Sequence, residues 1–379
     1  MNKHSAALGD IKKAKALCVA AIVAVLVATL WPFNAFPRNR VTWLKGANGI
    51  KFEKAGIAMS EEALSLPQTT GQSAYSLEIF VRPASNKFSR TILGFFNPKS
   101  GRKLLVKEWA DGLFATHDAS LLSDNSKTFN FYVRHVFHSG TLALVEISSG
   151  RTGTVVYVNG ARAEYFPKFQ ITSSDLSANV VLGTSPVAYQ PWSGEIRGLG
   201  LYAKELTPAE ASQHYLTWTE PNRRLSADMQ GVIARYTFTE SAGREIHNEV
   251  ASRPVLWIPA TFHIPNKPFL ESPAKEFRNS GAYAYEAVTN VAGFIPLGIA
   301  VCCYLAWAKN SWNAFFLTTA FCGLMSCSIE ILQYYIPSRG SGTTDIITNT
   351  VGGALGALLT QWSLVRRFLQ RTDILPAAE

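Results

Sequence analysis

Residues 326–356 read SCSIEILQYYIPSRGSGTTDIITNTVGGALG and set Glu330, Gln333, Arg339, Asp345 and Asn349 between or inside two strongly apolar stretches. An ionisable group inside a bilayer is costly, so an acid there marks a site rather than filler. Ser326, Glu330 and Gln333 are spaced four and three apart, which puts them on one helix face. Asp345 and Asn349 share a face for the same reason. Gly352 and Gly356 form a small-xxx-small pair that lets two helices approach closely. Such an approach would bring the polar faces together near one membrane surface. Asn290 and the break at Pro296 can join from the preceding apolar stretch.

This set of side chains is open to four uses. It can hydrogen-bond the polar headgroup of a lipid or of a lipid-linked saccharide. Glu330 or Asp345 can act as general acid or base, although no nucleophile or metal set accompanies them and no catalytic residue is assigned. The acids can relay protons or ions. Arg339 can pair with Glu330 or Asp345 and do no more than pin the helices, since buried ion pairs also serve as specificity devices.

The elements that carry these residues are apolar runs at residues 291–308, 312–329 and 346–365, with a fourth at 17–30. With Ala14 and Ala16 the first run approaches spanning length. A cleaved signal peptide is the rival reading. Trp31-Pro32-Phe33 follows where a small-x-small cleavage site would stand, which favours a retained anchor. Lys3, Lys12, Lys13 and Lys15 precede the first run, Lys309 sits between the second and third, and Arg366, Arg367 and Arg371 follow the fourth. The positive-inside rule then puts both termini in the cytoplasm of a bacterial cell and residues 45–280 outside its membrane. The expected layout is a cytoplasmic tail (1–15), a first span (16–33), a β-domain (45–220), a β extension and linker (221–280), three further spans (284–368) and a second tail (369–379).

The middle of the chain alternates apolar and polar residues in short runs such as YSLEIFVR (75–82) and TVVYV (154–158), broken by Gly, Pro, Asn and Ser. That is the pattern of a β-sandwich. Asn159-Gly160 after Val158 is a strong hairpin signal. Thr207, Pro208 and Glu210 open one short helix as cap, first residue and capping-box partner. The fold class is therefore multidomain: an all-β jelly-roll sandwich outside the cytoplasm plus a four-helix transmembrane bundle.

The net charge is +9, from 36 basic and 27 acidic residues, without a Lys/Arg run. Nucleic-acid binding is not expected; membrane lipids and a cell-envelope glycan are the expected partners. Cys18, Cys302, Cys303, Cys322 and Cys327 all lie in the apolar runs, so no disulfide framework is implied. No cofactor is implied either. Asp111, Asp118 and Asp124 are the acids a calcium site would use, but calcium takes six to eight oxygens and three scattered acids read as solvated turns. His135 and His138, three apart on an extended segment, point to opposite faces and make no zinc site. Tyr189, Trp192 and Tyr202 are candidates for a sugar-stacking platform, with core packing as the alternative.

Two family resemblances follow from these motifs. GQSAYSLEIFVRP, TGTVVYVNGARA and VVLGTSP followed by WSGEIRGLGLYAKELTPAEASQHY resemble the concanavalin A-like jelly roll of laminin-G-like domains over residues 45–220. Members of that superfamily bind sugars, bind proteins or hydrolyse glycans. Its hydrolases carry an E-x-D-x-x-E strand, whereas Glu78 is followed by Phe80 where the Asp would stand, so hydrolysis is not expected. Asn290-x-x-Gly-Phe-Ile-Pro-Leu-Gly298, Ser326-x-x-x-Glu330-x-x-Gln333, Arg339 and Asp345-x-x-x-Asn349-x-x-Gly352-x-x-x-Gly356 resemble the VanZ-like family over residues 11–33 and 284–368. That resemblance implies a membrane protein with an inserted β-domain and a link to glycopeptide (teicoplanin) resistance. It implies no settled molecular activity. A membrane enzyme acting on an envelope headgroup and a non-catalytic interaction scaffold remain the alternatives.

Overall fold

The computed structural model describes residues 2–66, 74–84, 89–118, 128–220, 230–277 and 281–376. Asp124 lies outside them. The chain divides into two compact units, one of residues 37–267 and one of residues 1–36 with 268–379.

The first unit is a β-sandwich. Its strands begin with β1 (Val41–Trp43), β2 (Ile50–Phe52), β3 (Ala58–Ser60), β4 (Tyr75–Pro83) and β5 (Arg90–Phe96). There follow β6 (Lys103–Trp109), β7 (Gly112–Asp118), β8 (Thr128–Val133), β9 (Ala143–Gly150), β10 (Gly153–Val158) and β11 (Ala161–Phe166). After a short helix, α2 (Ser173–Leu176), come β12 (Asn179–Leu182) and β13 (Gly194–Tyr202). Helix α3 (Pro208–Thr219) precedes β14 (Val232–Tyr236), β15 (Glu245–Ile246) and β16 (Leu256–Trp257). One antiparallel sheet runs β1-β2-β13-β4-β9-β10-β11, with β14 also on β13. The other runs β15-β16-β3-β12-β5-β6-β7-β8. The strands beyond Glu220 thus belong to both sheets.

Alternation explains the core. Leu77, Ile79 and Val81 of β4 and Val145 and Ile147 of β9 point inward and are buried against Leu104, Val106, Leu113 and Ala115 of the facing sheet. Every second residue of the same strands points outward, and there the first sheet is covered by α3. The helix starts on a capping box, Thr207 N–H to Glu210 Oε2 at 2.7 Å and Glu210 N–H back to Thr207 Oγ1 at 3.3 Å. Its far end needs room on the sheet. Gly198 supplies it, because a Cβ there would strike the Trp218 ring.

The second unit is helical. Helix α1 (Asn2–Leu30) is followed, after the insertion of the sandwich, by the short α4 (Pro273–Glu276), then α5 (Gly281–Leu305), α6 (Ser311–Tyr334), α7 (Thr343–Leu359) and α8 (Ser363–Arg371). Among the described residues three helices are long and apolar enough to cross a membrane: Asp10–Leu30, Gly281–Leu305 and Ser311–Tyr334. The fourth expected span, 346–365, is interrupted. Helix α7 stops at Leu359 and an amphipathic helix carrying Arg366, Arg367 and Arg371 begins at Ser363. At 1.5 Å per residue, α7 measures about 25 Å, a little under a hydrocarbon core.

Helices α5 and α7 pack backbone on backbone. A Cβ on Gly298 would collide with the Gly353 carbonyl, one on Gly352 with the Val291 carbonyl, and one on Gly356 with the Ile295 carbonyl. Gly353 faces α6 instead, against Cys322. On the other side of α5, Cys18, Ile22 and Val25 of α1 pack on Phe294, Leu297 and Val301. Val23 and Val27 on α1 and Phe316 and Leu324 on α6 stay exposed, as side chains that meet lipid would be. One end of the unit gathers the basic residues. There Lys13 Nζ lies 3.0 Å from Asp373 Oδ2, and Trp307 Nε1 donates to the Ile374 carbonyl at 3.2 Å.

Substituting Leu for Gly356 therefore separates α7 from α5, whereas Ala at Gly293, which has open space around its Cα, leaves the bundle intact. Thermal unfolding in detergent is expected to show a large drop for Gly356→Leu, on the scale of the 1–3 kcal/mol or more typical of overpacking, and a change within about 1 kcal/mol for Gly293→Ala.

Candidate functional site

At the end of the helical unit opposite the basic residues, α1, α5, α6 and α7 surround a cavity of about 290 Å³. Thr29, Glu286, Thr289, Asn290, Gln333, Arg339, Asp345 and Asn349 supply its polar lining. Five of the seven polar residues singled out in the sequence thus face one space. Asn290 enters from α5 and donates from Nδ2 to Asp345 Oδ1 at 2.7 Å. That bond fixes the carboxylate against the wall.

Gln333 and Arg339 hold the end of α1. A helix leaves its last carbonyls without internal partners, and cations are favoured beside them. Gln333 Nε2 donates to the Thr29 carbonyl at 2.9 Å. The Arg339 guanidinium donates to the Trp31 carbonyl at 2.7 and 3.0 Å and to the Ala28 carbonyl at 3.3 Å. Pro32, which has no N–H, follows directly. Among the described residues no ion pair joins Arg339 to Glu330 or Asp345, so the pinning pair expected from charge alone is replaced by a side-chain cap.

Ser326 and Glu330 do not line the cavity. Ser326 Oγ accepts from Asn349 Nδ2 at 2.9 Å and ties α6 to α7. Glu330 is buried, and its Oε2 accepts the Gly342 N–H at 2.9 Å while its carbonyl accepts from Ser341 Oγ at 3.0 Å. Glu330 is therefore the anchor of the turn between α6 and α7, where sequence spacing had grouped it with the site.

In the sandwich, two of the three candidate stacking aromatics are core residues. Trp192 is fully buried between the sheets, with Nε1 donating to Glu108 Oε2 at 2.5 Å. Tyr202 is buried under α3 and donates to Glu78 Oε2 at 2.9 Å. Only Tyr189 is exposed, so the three form no platform. A different aromatic group sits on the outer face of the second sheet. Trp109, half exposed, lies 5.0 Å from Phe114 and 6.1 Å from Tyr132, ring centre to ring centre. Phe114 and Tyr132 are direct cross-strand partners, next to the Trp109–Gly112 pair. Gly112 lets the Tyr132 ring lie flat, because a Cβ there would overlap it. Asp111, named above for calcium, instead pairs with His135 at 2.5 Å. His138 is exposed. Asp118 ends β7.

Glu78 has no second acid within its own strand. In register it stands opposite Glu146 of β9, and His214 of α3 contacts it from above. Glu78, Glu146 and His214 form a three-residue group of metal-ligand type. A Glu in the middle of LALVEI, on the face that a capped amphipathic helix must cover, was the available signal. Both carboxylates are fully buried, unlike the accessible pair that must flank a scissile glycosidic bond.

Two family models match the chain: VanZ/LLP1 over residues 231–366 and the concanavalin A-like lectin/glucanases superfamily over residues 58–212. The chain carries a VanZ-like domain and a concanavalin A-like domain. Among curated proteins none is significantly similar in sequence. Solved structures similar to it include a putative carbohydrate binding protein from Bacteroides ovatus (15% identity, TM-score 0.39, covering 58% of this chain and 62% of that one). Others are the CBM40 of a Ruminococcus gnavus IT-sialidase bound to alpha2,3 sialyllactose (13%, 0.33, 46% and 96%) and the receptor binding domain of botulinum neurotoxin D (14%, 0.36, 46% and 45%). The chain thus spans under half the length of the neurotoxin chain. The VanZ-like match includes the cavity-lining helices α5 to α7 and begins in the last strands of the sandwich. Together with three helices of spanning length, it marks a membrane protein.

Within the concanavalin A-like domain the Trp192–Glu108 bond makes a pH-dependent contribution. Burial pushes the Glu108 carboxyl up from 4.5 to about 7, against the opposing effect of the Trp192 hydrogen bond. The folded state therefore favours the protonated form. Its stabilisation is complete below about pH 4.5 and is lost as pH rises through about 7, by at most about 3 kcal/mol. Tryptophan fluorescence during denaturant unfolding is expected to show Glu108→Gln flattening the stability curve between pH 4.5 and 7, with the two proteins diverging most at alkaline pH.

Proposed function

We propose that this protein lies in a bacterial cytoplasmic membrane with both termini inside and the concanavalin A-like domain outside, and that the VanZ-like cavity holds the polar headgroup of a membrane lipid or lipid-linked saccharide. The observation that carries the proposal is the cavity itself. Side-chain amides from Asn290, Gln333 and Asn349, a fixed carboxylate on Asp345 and a guanidinium on Arg339 converge at one end of a bundle with apolar outer faces. Amide and carboxylate groups suit sugar hydroxyls, and the positive charge of Arg339 suits a phosphate. The orientation follows from Lys12, Lys13, Lys15, Lys309, Arg366, Arg367 and Arg371, which gather at the opposite end. The first helix is a retained anchor, because Gln333 and Arg339 would lose their partners if it were removed.

The external domain would take a cell-envelope saccharide on the Trp109, Phe114 and Tyr132 face, whose rings offer flat apolar area beside polar groups. A second reading rests on Glu286, which lines the cavity together with Asp345. Two carboxylates in one cleft are the minimum for acid–base work on a bound headgroup. A contribution to teicoplanin resistance is the finest part of the proposal and rests on the VanZ likeness.

Retained lipids and glycans of the full-length protein in native lipid discs are expected to include one enriched polar headgroup in the wild type. Asp345→Asn is expected to reduce it about tenfold or more, the equivalent of a lost charge-assisted hydrogen bond. Equal retention by both, at equal stability, would remove the cavity as the ligand site. Turnover abolished with retention kept would select the enzyme reading. On an envelope-glycan array, Trp109→Ala is expected to lose at least about fivefold in signal, as truncation of a central aromatic does. In a teicoplanin susceptibility assay, cells expressing Asp345→Asn are expected to behave like cells without the protein.

A further inference from the structure

Glu78 and Glu146 are direct cross-strand partners on adjacent strands, and both are fully buried. Like charges directly opposite each other destabilise a sheet, and burial multiplies the effect. Glu78 is well supplied with donors. Its Oε2 accepts from Tyr202 Oη and Trp218 Nε1, each at 2.9 Å, and its Oε1 contacts His214 Nδ1. Glu146 is not. Among the described residues neither of its carboxyl oxygens has a donor other than the Glu78 carboxyl group beside it. Burial first, and the Glu78 carboxylate second, push its pKa far above the usual carboxylate range. One ligand atom from each of Glu78, Glu146 and His214 falls within 4.8 Å of the others.

We propose that Glu78, Glu146 and His214 bind a divalent transition-metal cation between the sheet and α3. The charges close: two carboxylates and one M²⁺ sum to zero with a neutral imidazole, which leaves no uncompensated charge in the buried site. Oxygen, oxygen and nitrogen donors of this kind suit Zn²⁺ and its neighbours, at metal–ligand distances of about 2.0–2.2 Å. Tyr202 and Trp218 would orient the Glu78 carboxylate from behind, as hydrogen-bonding partners of metal ligands do. His214 is the partly exposed member and lies on the entry side. Ligation takes Glu146 as its carboxylate and the imidazole as its Nε2–H tautomer, with Nδ1 turned to the cation. The cation joins a strand-borne pair to a helix and so has a structural role, clamping α3 onto the sheet. Gly200 leaves room for the Glu78 carboxylate: a Cβ there would sit 3.0 Å from Glu78 Oε2.

The test uses full-length protein in detergent, stripped with EDTA, equilibrated with ZnSO₄, desalted and measured for zinc per chain and for Tm. Among divalent first-row ions at a nitrogen and oxygen site, zinc binds more tightly than manganese or iron, so it is a stringent probe. The wild type is expected to keep about one Zn²⁺ more per chain than Glu146→Gln and His214→Gln, and to be the only one of the three whose Tm rises with zinc. Glu146→Gln keeps the shape of the side chain and removes the buried acid, and His214→Gln gives a second reading should the first fail to fold. Wild type without zinc, or variants with as much zinc as the wild type, would overturn the proposal. The pair would then be a carboxyl dyad sharing one proton, and the exposed histidines the source of any bound metal.

Discussion

A carboxylate taken out of water must be given donors, a proton or a cation. Both units of this chain are arranged around that requirement, and they meet it differently. In the helical unit, Glu330 receives the Gly342 N–H, and Asp345 receives the Asn290 amide. In the sandwich, Glu78 receives three side-chain donors, while its neighbour Glu146 has, among the described residues, only Glu78 itself beside it. The positions of α3 and of the α6–α7 turn follow from these bonds as much as from apolar packing. An acid that only lined a surface would leave both elements free to drift.

Close packing is the second condition, and glycine supplies it in both units. On α5 and α7, Gly298, Gly352 and Gly356 let carbonyls of one helix meet the Cα atoms of the other. That contact fixes the register between the two helices and so brings Asn290 to Asp345. In the sandwich, Gly198 lets α3 approach until Trp218 and His214 reach Glu78, and Gly200 leaves room for the Glu78 carboxylate and the Tyr202 ring. The polar contacts are a few ångströms long and cannot form across a gap of one methyl group on each side. Stability and site geometry therefore respond to the same substitutions.

Much of this was legible in the sequence because the signals are periodic. Apolar runs located α1, α5 and α6, alternation located the sheets, and Thr207, Pro208 and Glu210 located the start of α3 to the residue. Helical spacing also paired Asn349 with Asp345 and Ser326 with Glu330. Spacing does not say which of the two pairs faces the cavity. Glu330 turned to the α6–α7 turn because the backbone N–H of Gly342 lay within reach, and no pattern in the side chains encodes that. Arg339 was read by its charge and sought an acid. Its partners are carbonyls of α1, some three hundred residues earlier, and a carbonyl leaves no mark in a sequence. The fourth span ran too far because Leu364 and Val365 continue the apolar composition past a real helix end.

The sandwich shows the same limit from the other side. Trp192 and Tyr202 looked available for a ligand because aromatics on strands are ambiguous between core and face. Each carries one polar atom, and each spends it on a buried carboxyl group, Glu108 or Glu78. An aromatic with a buried acid as partner is committed to the interior, since removing the ring would leave the acid without its donor. Trp109 has no such commitment: its ring is half exposed and leans on two other rings. The distinction between a packing aromatic and a binding aromatic thus lies in where its polar atom is satisfied, and that is a property of strand register rather than of residue type.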